Sequence, residues 1–228
     1  MQRGFAARLA GILGIVAALA GDSAGARAAL CREAAETAAR RHGIPPEIMQ
    51  AITLAETGTT RDGRRGPWPW TLNIEGEGRW FDSRREALAA AEAAIAAGRR
   101  STDIGCFQIN WRWHGKAFDS VAALLEPAAG ADYAARFLKS LHAEAGNWLT
   151  AAGWYHSRSP DHAGRYRAVI ARHLRRGDGG EPRLAAGRGA DRPAPPRAAP
   201  VAGAPTAGGV RLSLLTRAAG GLLRVADR

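Results

Sequence analysis

The sequence predicts a mainly α fold: a single globular domain with one small β-hairpin insertion. Three observations lead there. Between Leu30 and Arg176 apolar residues recur mostly at helical spacing. Helix punctuation recurs along the same stretch at Gly43, Pro45-Pro46, Ser83 to Glu86 and Gly98. The segment Thr71-Leu-Asn-Ile-Glu-Gly-Glu-Gly-Arg-Trp-Phe-Asp82 instead shows two short alternating runs around Gly76-Glu77-Gly78, the pattern of a hairpin and the only β structure expected.

In chain order, a first helix runs from Cys31 to about Arg41 and stops at Gly43. Pro45-Pro46 opens the second, because a missing N–H costs little in a first turn. Ser83-Arg-Arg-Glu86 reads as a capping box ahead of an alanine-rich helix that Gly98 ends. Further helices are expected at Pro127 to Glu144, Asn147 to His156 and His162 to Arg175, with Tyr133, Phe137 and Leu138 as ordinary core. The glycines at 76 and 78 lack the Lys-Ser/Thr and the helix start of a phosphate loop, so a turn is the better reading. No internal repeat is present.

The flanks differ in kind. Arg3 and Arg8 precede an apolar run from about Leu9 to Ala20 and then Ala24-Gly25-Ala26, which reads as a secretory signal over 1–26. The run is too short to span a membrane comfortably, so no integral span is expected in the mature chain, and an uncleaved anchor is the alternative. From Gly177 the composition turns to Gly, Pro, Ala and Arg, so 177–228 reads as a disordered tail. Its last part, Val210 to Val225, regains apolar residues and is a candidate for docking a partner. The domain itself is expected over 30–176.

The chain has 228 residues, 46% of them hydrophobic, enough for one sizeable core. Its net charge of +11 is carried almost wholly by arginine, with Lys116 and Lys139 the only lysines. With Ala and Gly abundant, that pattern reflects coding bias more than a binding face, and no nucleic-acid motif accompanies it. Export makes the two cysteines, Cys31 and Cys106, natural disulfide partners. Closing their loop of 75 positions would stabilise by about 4 kcal/mol in the chain-entropy model; two buried free thiols are the alternative. No Cys/His spacing resembles a metal site.

Chemistry concentrates at Glu56. It lies four residues after Ile52 and near the end of the second helix, on an edge of the apolar stripe. Desolvation and the helix C-terminus would both raise its pKa, as a general acid requires. On position alone, a surface carboxylate in a fraying last turn remains open. His156-Ser157 with Asp161 does not make a hydrolase triad, because the three crowd one local segment and no nucleophile elbow accompanies them.

Glu56-Thr57, then Ser101-Thr-Asp-Ile-Gly105-Cys-Phe-Gln108-Ile-Asn110, then Trp154-Tyr155-His156 resemble the ordered motif set of the soluble lytic transglycosylase family. That family has a goose-type lysozyme-like fold, and the resemblance covers about Cys31 to Arg175. The middle motif is the most specific, with Cys106 and Phe107 standing where the family has Leu and Met. Thr57 stands where the family usually has Ser, and His156 where it usually has Asn.

The resemblance implies a periplasmic enzyme acting on peptidoglycan strands without metal or cofactor. Glu56 would be the sole catalytic acid and base at the bond between N-acetylmuramic acid and N-acetylglucosamine, giving a 1,6-anhydro product. Gly105, Gln108 and Asn110 would line the cleft, Tyr155 would hydrogen-bond near Glu56, and Thr57 and His156 would complete the substrate contacts. Among the tryptophans flanking these motifs, Trp70 or Trp111 is expected on the glycan and Trp148 in the core. Asp103, Glu75 and Glu77 are candidates for a second carboxylate, which would make a hydrolytic muramidase; Asp103 is expected instead to cap a helix start or tighten the turn before Gly105. A non-catalytic wall-binding adaptor is the other alternative. Small members of the family often open the wall locally for a secretion or flagellar apparatus, which would make an assembly protein the tail's partner.

Overall fold

The computed structural model describes residues 23–177. The expected leader up to 22 and the tail from 178 lie outside the described residues. None of the described helices is long and apolar enough to cross a membrane.

The described part is mainly helical with a small antiparallel sheet. Helix α1 (Ala24–His42) begins at Ala24 rather than Cys31, because Ser23 caps it by accepting from the Ala26 N–H at 3.2 Å. The expected cleavage triplet Ala24-Gly25-Ala26 therefore forms the first turn of α1. The helix ends where predicted, with Gly43 at φ 69° returning its N–H to the Ala39 and Arg40 carbonyls.

Helix α2 (Pro46–Thr57) is buried without interruption from Ile48 to Thr57. Its burial includes the polar Gln50, Thr53, Glu56 and Thr57 as well as the apolar residues, and a helix buried in this way needs partners on every side. Those partners are α1, α7 (Trp148–His156) and α8 (Pro160–Arg176). Helix α6 (Pro127–Ala145) packs on α1 and α7. Fully buried Ala35 and Ala39 of α1 and Ala131, Ala134 and Ala135 of α6 keep both packing faces small, so the helix axes can approach closely.

The β structure exceeds the single predicted hairpin. Strands β1 (Thr59–Arg61) and β2 (Arg64–Gly66) form a separate hairpin around Asp62-Gly63, whose φ values are 50° and 70°. Strands β3 (Thr71–Ile74) and β4 (Glu77–Trp80) form the expected one, but its turn is Glu75-Gly76, both at positive φ, so Glu77 and Gly78 belong to β4. The sheet continues through β5 (Thr102–Ile104) to β6 (Ile109–Asn110) in the order β4-β3-β5-β6. Two or three residues per strand are too few for an alternating pattern to show in sequence.

Helix α3 (Arg84–Ala96) starts from the predicted Ser83 cap, which accepts from Glu86 N–H at 3.2 Å. After β6, two short helices absent from the sequence reading, α4 (Trp111–His114) and α5 (Val121–Leu125), lead through a 3-10 turn into α6. Trp148 is half-buried and stacks on His142 rather than lying fully in the core.

Candidate functional site

The loop Gly105 to Gln108 between β5 and β6 ties the helices to the sheet. Cys106 is bonded to Cys31 of α1, their Cα atoms 5.6 Å apart. Thr53 of α2 donates its hydroxyl to the Cys106 carbonyl at 2.8 Å, and Tyr155 of α7 donates to the Phe107 carbonyl at 3.0 Å. Gly105 takes φ 75° here, a conformation that disfavours a side chain. Gln108 sits at φ 46° and donates its amide to the carbonyls of Gly105 (2.9 Å) and Thr71 (3.2 Å).

Glu56 lies one turn from Thr53 and has no exposed surface. The fraying-turn reading is excluded, because α2 is enclosed to its last residue. The carboxyl is held by Tyr166 of α8, which donates to Glu56 Oε1 at 2.6 Å. Burial pushes the Glu56 pKa well above the carboxylate range, the Tyr166 hydrogen bond offsets part of that, and the charge of Asp103 adds to the rise. Tyr166 is itself pushed well above the ordinary phenol range, chiefly by burial and then by Glu56, so its hydroxyl stays a donor.

This corrects the expected role of Tyr155. Burial and then the charge of Glu56 raise its pKa, but its hydroxyl serves the Phe107 carbonyl. Tyr166 was missed, although a signal was present: Ala163, Tyr166, Ile170 and His173 form the buried stripe of α8, and a buried tyrosine hydroxyl needs a partner.

Across the sheet, Asn73 of β3 stands opposite Asp103 of β5, which stands opposite Asn110 of β6. The three therefore share one face, and all are buried. Asn110 donates to Asp103 Oδ1 at 2.7 Å and accepts from Arg112 N–H at 3.0 Å, which starts α4. The expectation that Asp103 caps a helix or tightens a turn is thus replaced by a place within a strand, where its carboxylate anchors Asn110. Glu75 and Glu77 are exposed in the hairpin, with Glu77 paired to Arg79 at 3.0 Å, and do not share the burial of Glu56.

Thr57 uses its hydroxyl twice, donating to the Thr53 carbonyl at 3.0 Å and accepting from Trp68 N–H at 3.1 Å. It therefore pins the chain leaving α2. His156 is buried and lies parallel to the Tyr166 ring, centroids 4.7 Å apart. Burial, then His162 and Arg165, lower its pKa to about 4, so it is neutral near pH 7. Trp70 is 8% exposed, Trp111 is half-buried and Trp113 is 47% exposed, so of the three Trp70 has the least surface for a ligand.

Among the described residues, Glu56 Oε2, Asn73 Oδ1, Gln108 Oε1 and His156 Nδ1 are buried without a hydrogen-bonding partner. Buried polar groups are normally paired, so the unpaired oxygen of Glu56 marks a place where a ligand can complete the set, although such atoms also occur on α3 (Arg84 Nε) and α4 (His114 Nε2). Among the described residues, no three His, Cys, Asp or Glu side chains gather as a metal site would need. Compared with known proteins, the chain matches no family model, no curated protein and no solved structure.

Proposed function

We propose that the chain is a peptidoglycan lytic transglycosylase of the goose-lysozyme-like class, exported to the periplasm, with Glu56 as its only acid and base. One observation carries the reading: a carboxyl with no exposed surface, its pKa raised by burial, is held at Oε1 by Tyr166 while Oε2 is left without a partner. Tyr166 occupies one oxygen, so the transferable proton belongs on Oε2.

The reaction balances around that one group. Neutral Glu56 gives its proton to the bridging oxygen as the bond from C1 of N-acetylmuramic acid breaks, and N-acetylglucosamine departs with a free hydroxyl. The substrate's own acetamido oxygen stabilises the cationic C1. The Glu56 carboxylate then takes the proton of the C6 hydroxyl, O6 closes on C1, and a 1,6-anhydro sugar leaves with Glu56 protonated again. No water is consumed. Glu56 has no exposed surface in this structure. The same burial means that glycan reaches Oε2 only after neighbouring side chains part.

Asp103 supports a second reading. It is buried, and its charge acts on Glu56, so it is the candidate partner carboxylate for a hydrolytic muramidase. Digestion of purified peptidoglycan, read by mass, separates the two. Products one water lighter, ending in anhydro sugars and absent with Glu56→Gln, are expected. Reducing ends lost with Asp103→Asn would establish the hydrolase, and release of nothing would leave a wall-binding adaptor.

A further inference from the structure

The β1–β2 hairpin lies against the start of α1, and the seam encloses a pocket of about 130 Å3 lined by Arg32, Thr59, Arg61, Arg64, Arg65 and Trp68. Gly66 makes the approach possible: a Cβ there would sit 2.9 Å from the Ala28 Cβ and 3.2 Å from Arg32 Nη1. The charges are unevenly matched. Arg27 and Arg61 stack on the Trp68 ring, at 5.3 and 4.7 Å from its centroid, and share Asp82 at 4.0 and 3.2 Å. Arg32, Arg64 and Arg65 have no carboxylate partner among the described residues. Asp62 in the hairpin turn is the remaining acid on this hairpin, and it too has no ion pair among the described residues.

We propose that this pocket receives the carboxylates of the peptide stems that branch from the glycan. The inference rests on the peptidoglycan reading and names the part of the substrate that the Glu56 chamber leaves unaddressed. Guanidinium forks match carboxylates in geometry as well as charge. A concave pocket of this size admits one chain bearing a carboxylate, whereas a lipid surface needs a convex or flat basic face. Position agrees as well. Thr59 in the pocket wall is three positions after Glu56, a reach of at most about 11 Å between their Cα atoms. Trp68, which also lines the pocket, is tied through its N–H to the Thr57 hydroxyl. The stem hangs from N-acetylmuramic acid, the sugar whose C1 the proposed reaction attacks, so stem and scissile bond need neighbouring sites. All four lining arginines follow position 26; Ala24 and Gly25, which also line the pocket, fall within the expected leader, so its removal would open that side while the arginines stay in the chain.

The test is calorimetric titration with a synthetic stem tetrapeptide, L-Ala-D-Glu-diaminopimelate-D-Ala, and with the same peptide amidated at its carboxyls. The protein is compared with Arg64→Gln/Arg65→Gln and with Arg65→Lys. Both positions are exposed, and melting curves establish that the variants fold. Expected is binding of the free peptide, weakened about tenfold by amidation or by the double substitution, and weakened less by Lys, which keeps charge without the fork. Equal binding of the amidated peptide, or an unchanged double variant, overturns the proposal. So does displacement by inorganic phosphate at the same concentration, which means a general anion site, or arginine-dependent capture by phosphatidylglycerol vesicles in place of peptide. Sacculus cleavage is followed in the same preparations. Arginine-dependent peptide binding without cleavage keeps this site and removes the proposed reaction; cleavage without such binding does the reverse.

Discussion

Glu56 and the arginines of the β1–β2 hairpin are close in sequence, yet they occupy opposite environments. The carboxyl is sealed among α2, α8 and the sheet, and it is pushed toward its neutral form. Arg64 and Arg65 are exposed and have no counter-charge among the described residues. Burial changes what a group can do chemically by penalising its charge, while exposure leaves charge intact but screened and suited to recognition. One short connection therefore joins a place where a proton can be held to a place where an anion can be held.

The sharpest way to break the contrast is to neutralise the sealed group. Glu56→Gln is expected to abolish release of soluble muropeptides while raising the melting temperature near pH 7. The sign follows from linkage: a carboxyl whose pKa is raised on folding contributes most below its unfolded value and loses that contribution as pH rises through the folded one. Gln keeps an acceptor for Tyr166 without a proton to lose. A gain of about 1 kcal/mol would appear as about 2–4 °C in a calorimetric scan. A drop in melting temperature would show that the carboxyl is not buried at a cost.

Next in size is the disulfide. Cys31→Ser with Cys106→Ser should lower stability by about 4 kcal/mol in urea titration. Because Cys106 also accepts from Thr53, the loss should reach the Glu56 chamber, with faster hydrogen exchange in α2 and at Gly105 to Gln108, and leave the β1–β2 hairpin unaffected. Equal loosening of the hairpin would mean that the two regions are not independent.

His156 gives the chamber an acid limit. The unfolded imidazole takes a proton near pH 6.5 and the folded one only near 4, so stability is complete above 6.5 and falls by about 3 kcal/mol as pH drops through 4. His156→Gln should remove that part of the slope in denaturation curves taken from pH 7 to 3.5; an unchanged slope would place the titrating group elsewhere. The smallest effect expected is that of Tyr166→Phe. It removes the hydrogen bond that lowers the Glu56 pKa, so carboxyl NMR should show Glu56 titrating higher still, with cleavage slowed about tenfold to a hundredfold by lost positioning. A downward movement of that titration would reverse the role given to Tyr166.

The helical frame was legible because its signals are local. Gly43, Pro46, Ser83 and the α6 to α8 starts act within a turn of themselves, and the structure places helix ends at or near them. The beginning of α1 was not, since alanine-rich sequence continues smoothly across Ala24 and a lone Ser23 is a weak mark. Asp62-Gly63 was a readable hairpin signal that went unused, whereas β5 and β6 are too short for any pattern to show.

By itself the sequence determined that Glu56 ends an apolar helix, that Cys31 and Cys106 are the only pair available, and that polar residues punctuate the Gly105 loop. These depend on spacing and composition, which act along the chain. Only the tertiary structure decided that Tyr166 rather than Tyr155 holds Glu56, that Asn73, Asp103 and Asn110 form one row, and that Arg32 meets Arg64 and Arg65 across a seam. Those are meetings of distant segments, set by how α8 packs on α2, how three strands register, and how closely Gly66 lets a hairpin approach α1. Each rests on side chains filling the same space from different parts of the chain, and no local preference encodes it.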